Sequence, residues 1–161
     1  MRVIGKNMGG IFYKNVTSAK AACMVNLCIE KGIKLNANKL ENLMILFKCE
    51  MLANNNRHAF TENVEYRGGR LTLKSIQQDY QGRVEDFNEK LWELIHLYAL
   101  EKHVMEGVID RFGGLSSHQL ECLKPMQQML QHCKKKKIIL VPESLICQLF
   151  AKESDSENEV K

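Results

Sequence analysis

Proline and tryptophan are scarce in this chain, with two and one among 161 residues, and no apolar stretch approaches the length needed to cross a bilayer. Runs such as Ile138-Ile139-Leu140-Val141 are far too short for that. The amino-terminal Met1-Arg2-Val3-Ile4-Gly5-Lys6 lacks both a sustained apolar core and a small-residue cleavage site, so no signal peptide is expected and the expected location is cytoplasmic. The six cysteines form no Cys-x-x-Cys pair. Cys23, Cys28, Cys49, Cys122, Cys133 and Cys147 fall mostly in apolar periodic segments and read as reduced, buried thiols. There is no Gly-x-Ser-x-Gly elbow and no phosphate-cradling glycine loop, so neither hydrolase nor nucleotide chemistry is indicated.

What is there fits one soluble domain. Apolar residues make up 45% and charged residues 26%. A chain of this length buries roughly two-thirds of its unfolded surface without disulfides or metal. Charge is uneven: Glu153, Asp155, Glu157 and Glu159 face Lys161 alone in the last nine residues, so the rest carries +7 against +4 for the whole. The expected organisation is an N-terminal extension over 1–16, a helical domain over 17–152, and an acidic, disordered tail over 153–161.

Periodicity predicts a mainly α, compact single-domain helical bundle with a small β element, its short strands near 60–70 and 138–141. A first helix is expected to start at Thr17 or Ser18 and to stop at Gly32. Asn36 should cap a second, central helix, because Leu40, Leu43, Met44, Phe47, Met51 and Leu52 repeat at helical spacing while Ile45 and Leu46 widen the stripe. Asn54-Asn55-Asn56 ends it. A short helix is expected from Leu71 or Thr72 to Tyr80. A long one should start near Asp86 and run through Leu91, Leu94, Ile95, Tyr98 and Val104. Shorter helices are expected over Val108–Phe112, from Ser116 or Ser117 to Leu123, and over Pro125–Cys133, with a last one after Pro142 that turns Leu145, Ile146, Leu149 and Phe150 inward.

The order of these segments resembles the Panacea domain, a small helical module of bacterial toxin–antitoxin loci and phages, over about residues 17 to 150. Glu30 to Phe47 resembles the family's Lys-Gly-Ile turn and Leu-rich second helix. Val64-Glu65-Tyr66-Arg67-Gly68-Gly69-Arg70 is similar to its extended aromatic segment, without the proline that follows the glycine there and without the tryptophan that often precedes the step. Arg111-Phe112-Gly113-Gly114-Leu115-Ser116 and Pro142 to Phe150 are similar to its closing elements. The resemblance implies a non-enzymatic, cofactor-free protein that binds and blocks a partner, often a toxin, through Tyr66, Arg67, Gly68, Gly69 and Arg70. Its departures open the alternative of a phage-encoded, anti-CRISPR-like inhibitor of a host defence nuclease.

Three other constellations bear on function. Glu89, Glu93, His96 and His103 share a helical stripe suited to a metal or an acid–base pair, but read more simply as a solvated face. His118, Cys122, His132 and Cys133 lack the paired spacing of zinc modules, so no metal is expected. Lys134, Lys135, Lys136 and Lys137 form a basic patch suited to phosphate contact, with Arg67, Arg70, Lys74 and Arg83 as a second group. The bland account of the four lysines is solvated charge in a loop between a helix and a strand. The patch leaves a basic nucleic-acid-binding regulator as a third reading beside the two protein-directed ones.

Overall fold

The computed structural model describes residues 16–80 and 97–152. The expected helix start at Asp86, the stripe members Glu89, Glu93 and His96, Arg83 and the acidic tail lie outside the described residues. Helix α1 spans Val16–Glu30, and Gly32, at φ +73°, ends it. The Ile33 amide then reaches back to the Cys28 carbonyl at 2.8 Å, satisfying an orphan acceptor of the last turn. Neither Thr17 nor Ser18 caps this helix, contrary to expectation. Both lie inside it and are buried, and the Ser18 hydroxyl donates across the fold to Asp79 Oδ2 at 2.5 Å.

Helix α2, Ala37–Asn55, is capped as its sequence predicts: the Asn36 side chain accepts the Lys39 amide at 2.8 Å. Every residue from Leu40 to Leu52 is buried. Such all-round burial makes α2 the axle of the molecule, with α1, α3, α4, α5 and α7 packed about it. Four polar side chains are buried with it, and each is answered from another element or a neighbouring turn. Glu41 meets Arg70, Asn42 donates to the Ser117 carbonyl, Lys48 donates to the Phe60 carbonyl, and Glu50 takes Arg111 and Asn54.

Strands β1, Glu65–Arg67, and β2, Arg70–Thr72, pair antiparallel with Tyr66 opposite Leu71. The helix expected from Leu71 or Thr72 begins only at Lys74. Residues 70–72 are strand because the Gly68–Gly69 turn folds them back onto β1, a tertiary contact that outweighs local propensity. Helix α3, Lys74–Asp79, follows, with the Glu62 carboxylate accepting the Ser75 amide at 3.0 Å at its positive end.

Helix α4, Ala99–Phe112, is continuous where two helices were expected. Gly107 lies inside it, a substitution for alanine's propensity of about 1 kcal/mol that packing outweighs. Nor does a helix run through Tyr98, whose ψ of 152° makes it the extended residue before α4. Helix α5, Ser117–Glu121, carries a reciprocal cap between Ser116 and Gln119. Helix α6 spans Lys124–Lys136 and α7 spans Glu143–Phe150, with Ile146 and Phe150 buried and Leu145 and Leu149 partly so. The architecture is therefore mainly α with a small two-stranded antiparallel sheet. No helix among the described residues is long and apolar enough to cross a membrane.

The segment expected as a strand over 138–141 makes only an isolated bridge, Leu140 opposite Glu65. The Tyr66 amide donates to the Ile139 carbonyl at 2.7 Å and the Val141 amide to the Val64 carbonyl at 3.0 Å. Pro142 follows at once and begins the approach to α7, leaving no room for a longer ladder.

Candidate partner-binding surface

The hairpin tip is a two-residue turn in which Gly68 and Gly69 have φ of +60° and +82°. Two positive values in succession match the twist of the flanking strands, and glycine adopts them without a steric penalty. Both glycines and Arg67 are exposed. Arg67 is held against Glu65 of its own strand at 2.7 Å. Tyr66 is half-buried against the core and Arg70 is half-buried in an ion-pair network, so these two anchor the hairpin while the tip faces solvent.

Lys134, Lys135 and Lys136 are not loop residues, as their charge suggested. They form the last turn of α6, and Lys137 ends it in the left-handed conformation at φ +58°. The reason is electrostatic as well as conformational: lysine is a good helix former, and cations at a helix C-terminus oppose its macrodipole. All four are exposed.

The structure brings the two candidate segments together. The antiparallel bridge of Glu65 to Leu140, extended by the Tyr66 to Ile139 bond, directs β1 toward its tip while the facing chain runs back toward Lys137. The glycine turn and the lysine turn therefore lie at one end of the molecule, and α6 packs on both strands. Directly after the lysine turn, alongside Tyr66 and Glu65 of β1, come two residues that sequence reasoning assigned to a strand and not to a site: Ile139 and Leu140, each 47% exposed. Their signal was the apolar run directly after four lysines. It was indistinguishable from a buried strand until the pairing partner was known.

Behind the tip, Arg70 has acidic partners that the sequence did not reveal. Arg70 Nη1 contacts Glu41 at 2.7 Å and Nη2 contacts Glu121 at 3.3 Å, joining β2 to α2 and α5. Glu41 also accepts the Leu73 amide at 2.8 Å. Burial raises the Glu41 pKa, against the lowering effect of the Leu73 and Arg70 hydrogen bonds. Below this network a pocket of about 220 Å³ opens between the hairpin, α5 and α6.

The thiols divide differently from expectation. Cys23, Cys28, Cys49 and Cys133 are buried, whereas Cys122 and Cys147 are exposed. Burial pushes the Cys23 and Cys28 pKa values up to about 11, which keeps both as unreactive thiols near neutral pH. Cys122 Sγ lies 3.7 Å from His118 Nε2, and among the described residues no group of three or more histidine, cysteine or acidic side chains is gathered for a metal. His103 lies on α4 and lines a cleft of about 790 Å³ of mixed character, together with Glu50, Leu100, Val104 and Arg111. Comparison with protein-family models, with curated proteins and with solved structures gave no match.

Proposed function

We propose that this chain is a non-enzymatic, protein-binding neutraliser of the antitoxin type, acting in the cytoplasm, and that its contact surface is the end formed by the hairpin tip, Ile139 and Leu140, and the lysine turn of α6. The observation that carries this reading is the half-exposed apolar pair that directly follows the lysine turn and flanks β1. An apolar centre rimmed by charge is the usual anatomy of a protein-binding patch. The similarity of the segment order to Panacea antitoxin domains supports the same reading and supplies the expected partner, a toxin.

A phage-encoded inhibitor of a host defence nuclease would use the same surface, with the lysines and Arg67 meeting an acidic face or competing with the nuclease's nucleic acid. The exposed lysine turn favours, as a second reading, a regulator that holds nucleic acid by phosphate contacts.

Affinity capture from the native host after nuclease treatment, followed by co-expression, tests the proposal. The expected result is one stoichiometric partner whose expression alone arrests growth and whose effect this chain relieves. The paired variant Ile139→Ser and Leu140→Ser should lose that partner while remaining folded, because neither side chain belongs to the buried core. Recovery of nuclease-sensitive nucleic acid alone sinks the neutraliser reading in favour of the regulator, and full capture by the paired variant removes the surface assignment.

A further inference from the structure

The segment beside β1 has an open backbone edge. Its bridge to β1 rests on two bonds, from Tyr66 N–H to the Ile139 carbonyl at 2.7 Å and from Val141 N–H to the Val64 carbonyl at 3.0 Å, which lie on either side of the pair Glu65 and Leu140. In an antiparallel ladder that pattern makes Glu65 and Leu140 a non-hydrogen-bonded pair, whose own N–H and C=O groups point away from each other. Those of Glu65 point to β2, where Thr72 is its partner. Those of Leu140 therefore point to the far side, and among the described residues neither has a backbone partner.

This edge is bounded at both ends. Ile138 N–H is engaged by the Cys133 carbonyl at 3.1 Å, closing α6, and Pro142 has no N–H while its carbonyl takes the Leu145 and Ile146 amides. One donor and one acceptor remain on Leu140, placed to exchange two bonds with a single residue of another strand. A strand laid there has one register.

The side chains suit such a visitor. They alternate between the two faces of the sheet, so Ile139 and Val141 share the face of Tyr66 and Val64, on which Val64 and Val141 are buried. Ile139 continues that core face to the edge and stops half-exposed, and Leu140 is half-exposed on the opposite face beside Glu65. Both faces of the edge thus offer an apolar side chain, and the four exposed lysines at the end of α6 stand directly before them.

We propose that this edge receives an extended segment of the partner protein, added antiparallel as an outer strand. The segment carries three consecutive apolar residues, facing Val141, Leu140 and Ile139, followed by acidic residues at the level of the lysine turn. Its middle apolar residue exchanges both backbone bonds with Leu140, the side chains on either side cover the apolar edge, and the acids steer the approach. That a partner supplies the strand rests on the neutraliser reading, whereas the capacity of the edge to take one does not. A second copy of this chain is the poorer source, because Pro142 and helix α7 follow its own edge at once and leave nothing extended to run beside the lysines.

The test is a titration of the isotopically labelled full chain with the peptide acetyl-Thr-Val-Val-Val-Thr-Asp-Glu-amide. A saturable shift of the Leu140 amide is expected, with slowed hydrogen exchange at that amide. The same peptide N-methylated at its middle valine keeps every side chain but loses the donor to Leu140, and should bind about tenfold more weakly. Asn-Gln in place of Asp-Glu should weaken the complex at low salt, a difference that shrinks near physiological salt. Absence of a saturable shift at Leu140, or equal binding of the N-methylated peptide, overturns strand addition; equal binding of the neutral peptide at low salt overturns the acidic flank. Concentration-dependent dimers of the chain alone that shield the Leu140 amide would give the edge to a second copy and overturn the partner segment. A peptide that binds as expected but does not displace the captured partner overturns it too. If no partner is captured at all, the neutraliser reading fails while the titration still decides the edge.

Discussion

Arg70 on strand β2 and Glu41 on helix α2 form a 2.7 Å ion pair in which the carboxylate is 1% exposed and the guanidinium reaches on to Glu121. It fastens the hairpin to the central helix. Removing one member strands the other, which typically costs about 3–5 kcal/mol. Arg70→Met should therefore lower stability by about 3 kcal/mol in urea denaturation at neutral pH. The double variant Arg70→Met and Glu41→Leu should recover most of it.

The same pair gives that variant a pH signature. Burial already raises the Glu41 pKa in the folded state. Loss of Arg70 removes a lowering influence and raises it further. A carboxyl whose folded pKa is raised contributes stability that is fully present below its unfolded pKa and is lost as pH rises through the folded pKa. Arg70→Met should thus approach wild-type stability as pH falls toward the ordinary glutamate value of 4.5, and diverge above it. A deficit that stays constant between acid and neutral pH would show that the carboxylate is not the stranded group.

Lys48 is a buried cation whose one hydrogen bond among the described residues is 2.9 Å to the Phe60 carbonyl, and it lies 5.0 Å from the Phe60 ring centroid. Desolvation lowers its pKa below the ordinary 10.5. The stability contributed by its neutral form is present above that ordinary value and lost as pH falls through the folded pKa. Lys48→Met should be more stable than wild type by about 1 kcal/mol at pH near 7, with the advantage shrinking as pH rises toward 10. Denaturation at the two pH values measures it; a larger advantage in alkali contradicts it.

Two glycines next to the same core should respond in opposite directions. A Cβ at Gly107 meets nothing within 4 Å, so Gly107→Ala should raise stability by about 0.5–1 kcal/mol through helix propensity. A Cβ at Gly113 would lie 2.5 Å from the Ile109 carbonyl oxygen and 2.7 Å from Ile33 Cδ1. Gly113→Ala should lower stability by about 1–3 kcal/mol, seen as a drop in Tm.

The lysine turn separates the functional readings. Replacing Lys134 to Lys137 by Gln removes charge from the rim of the proposed surface, so it should slow association with a protein partner at low salt and change its affinity little near physiological salt. For nucleic acid it should weaken binding and reduce the slope of log affinity against log salt by about 0.9 for each phosphate contact removed from a duplex. An isothermal titration series at several salt concentrations reads both.

How far the sequence disclosed this molecule depends on the distance over which each feature is decided. The Asn36 cap, the Gly32 stop and a helix start at Ser116 or Ser117 were legible because each is settled within a few residues. The β2–α3 boundary, the single bridge at Leu140 and the continuity of α4 through Gly107 were not, since packing against distant segments decides them. The candidate site shows the same division. Tyr66 to Arg70 could be singled out as an extended segment with a glycine turn. Glu41 and Asn42 could not, because they sit on α2 as two more polar positions in a helical pattern until burial and β2 give them meaning. Likewise Ile139 and Leu140 read as strand interior, and only the brevity of the pairing leaves them facing outward.

The backbone bond from Tyr66 to Ile139 also sets an order of events during synthesis. Tyr66 leaves the ribosome long before Ile139 exists, so the hairpin emerges without the segment that completes its flank. The proposed contact surface is consequently finished only after helices α1 to α6 have been made. A chain stalled before residue 138 holds the glycine turn but not the adjoining apolar pair.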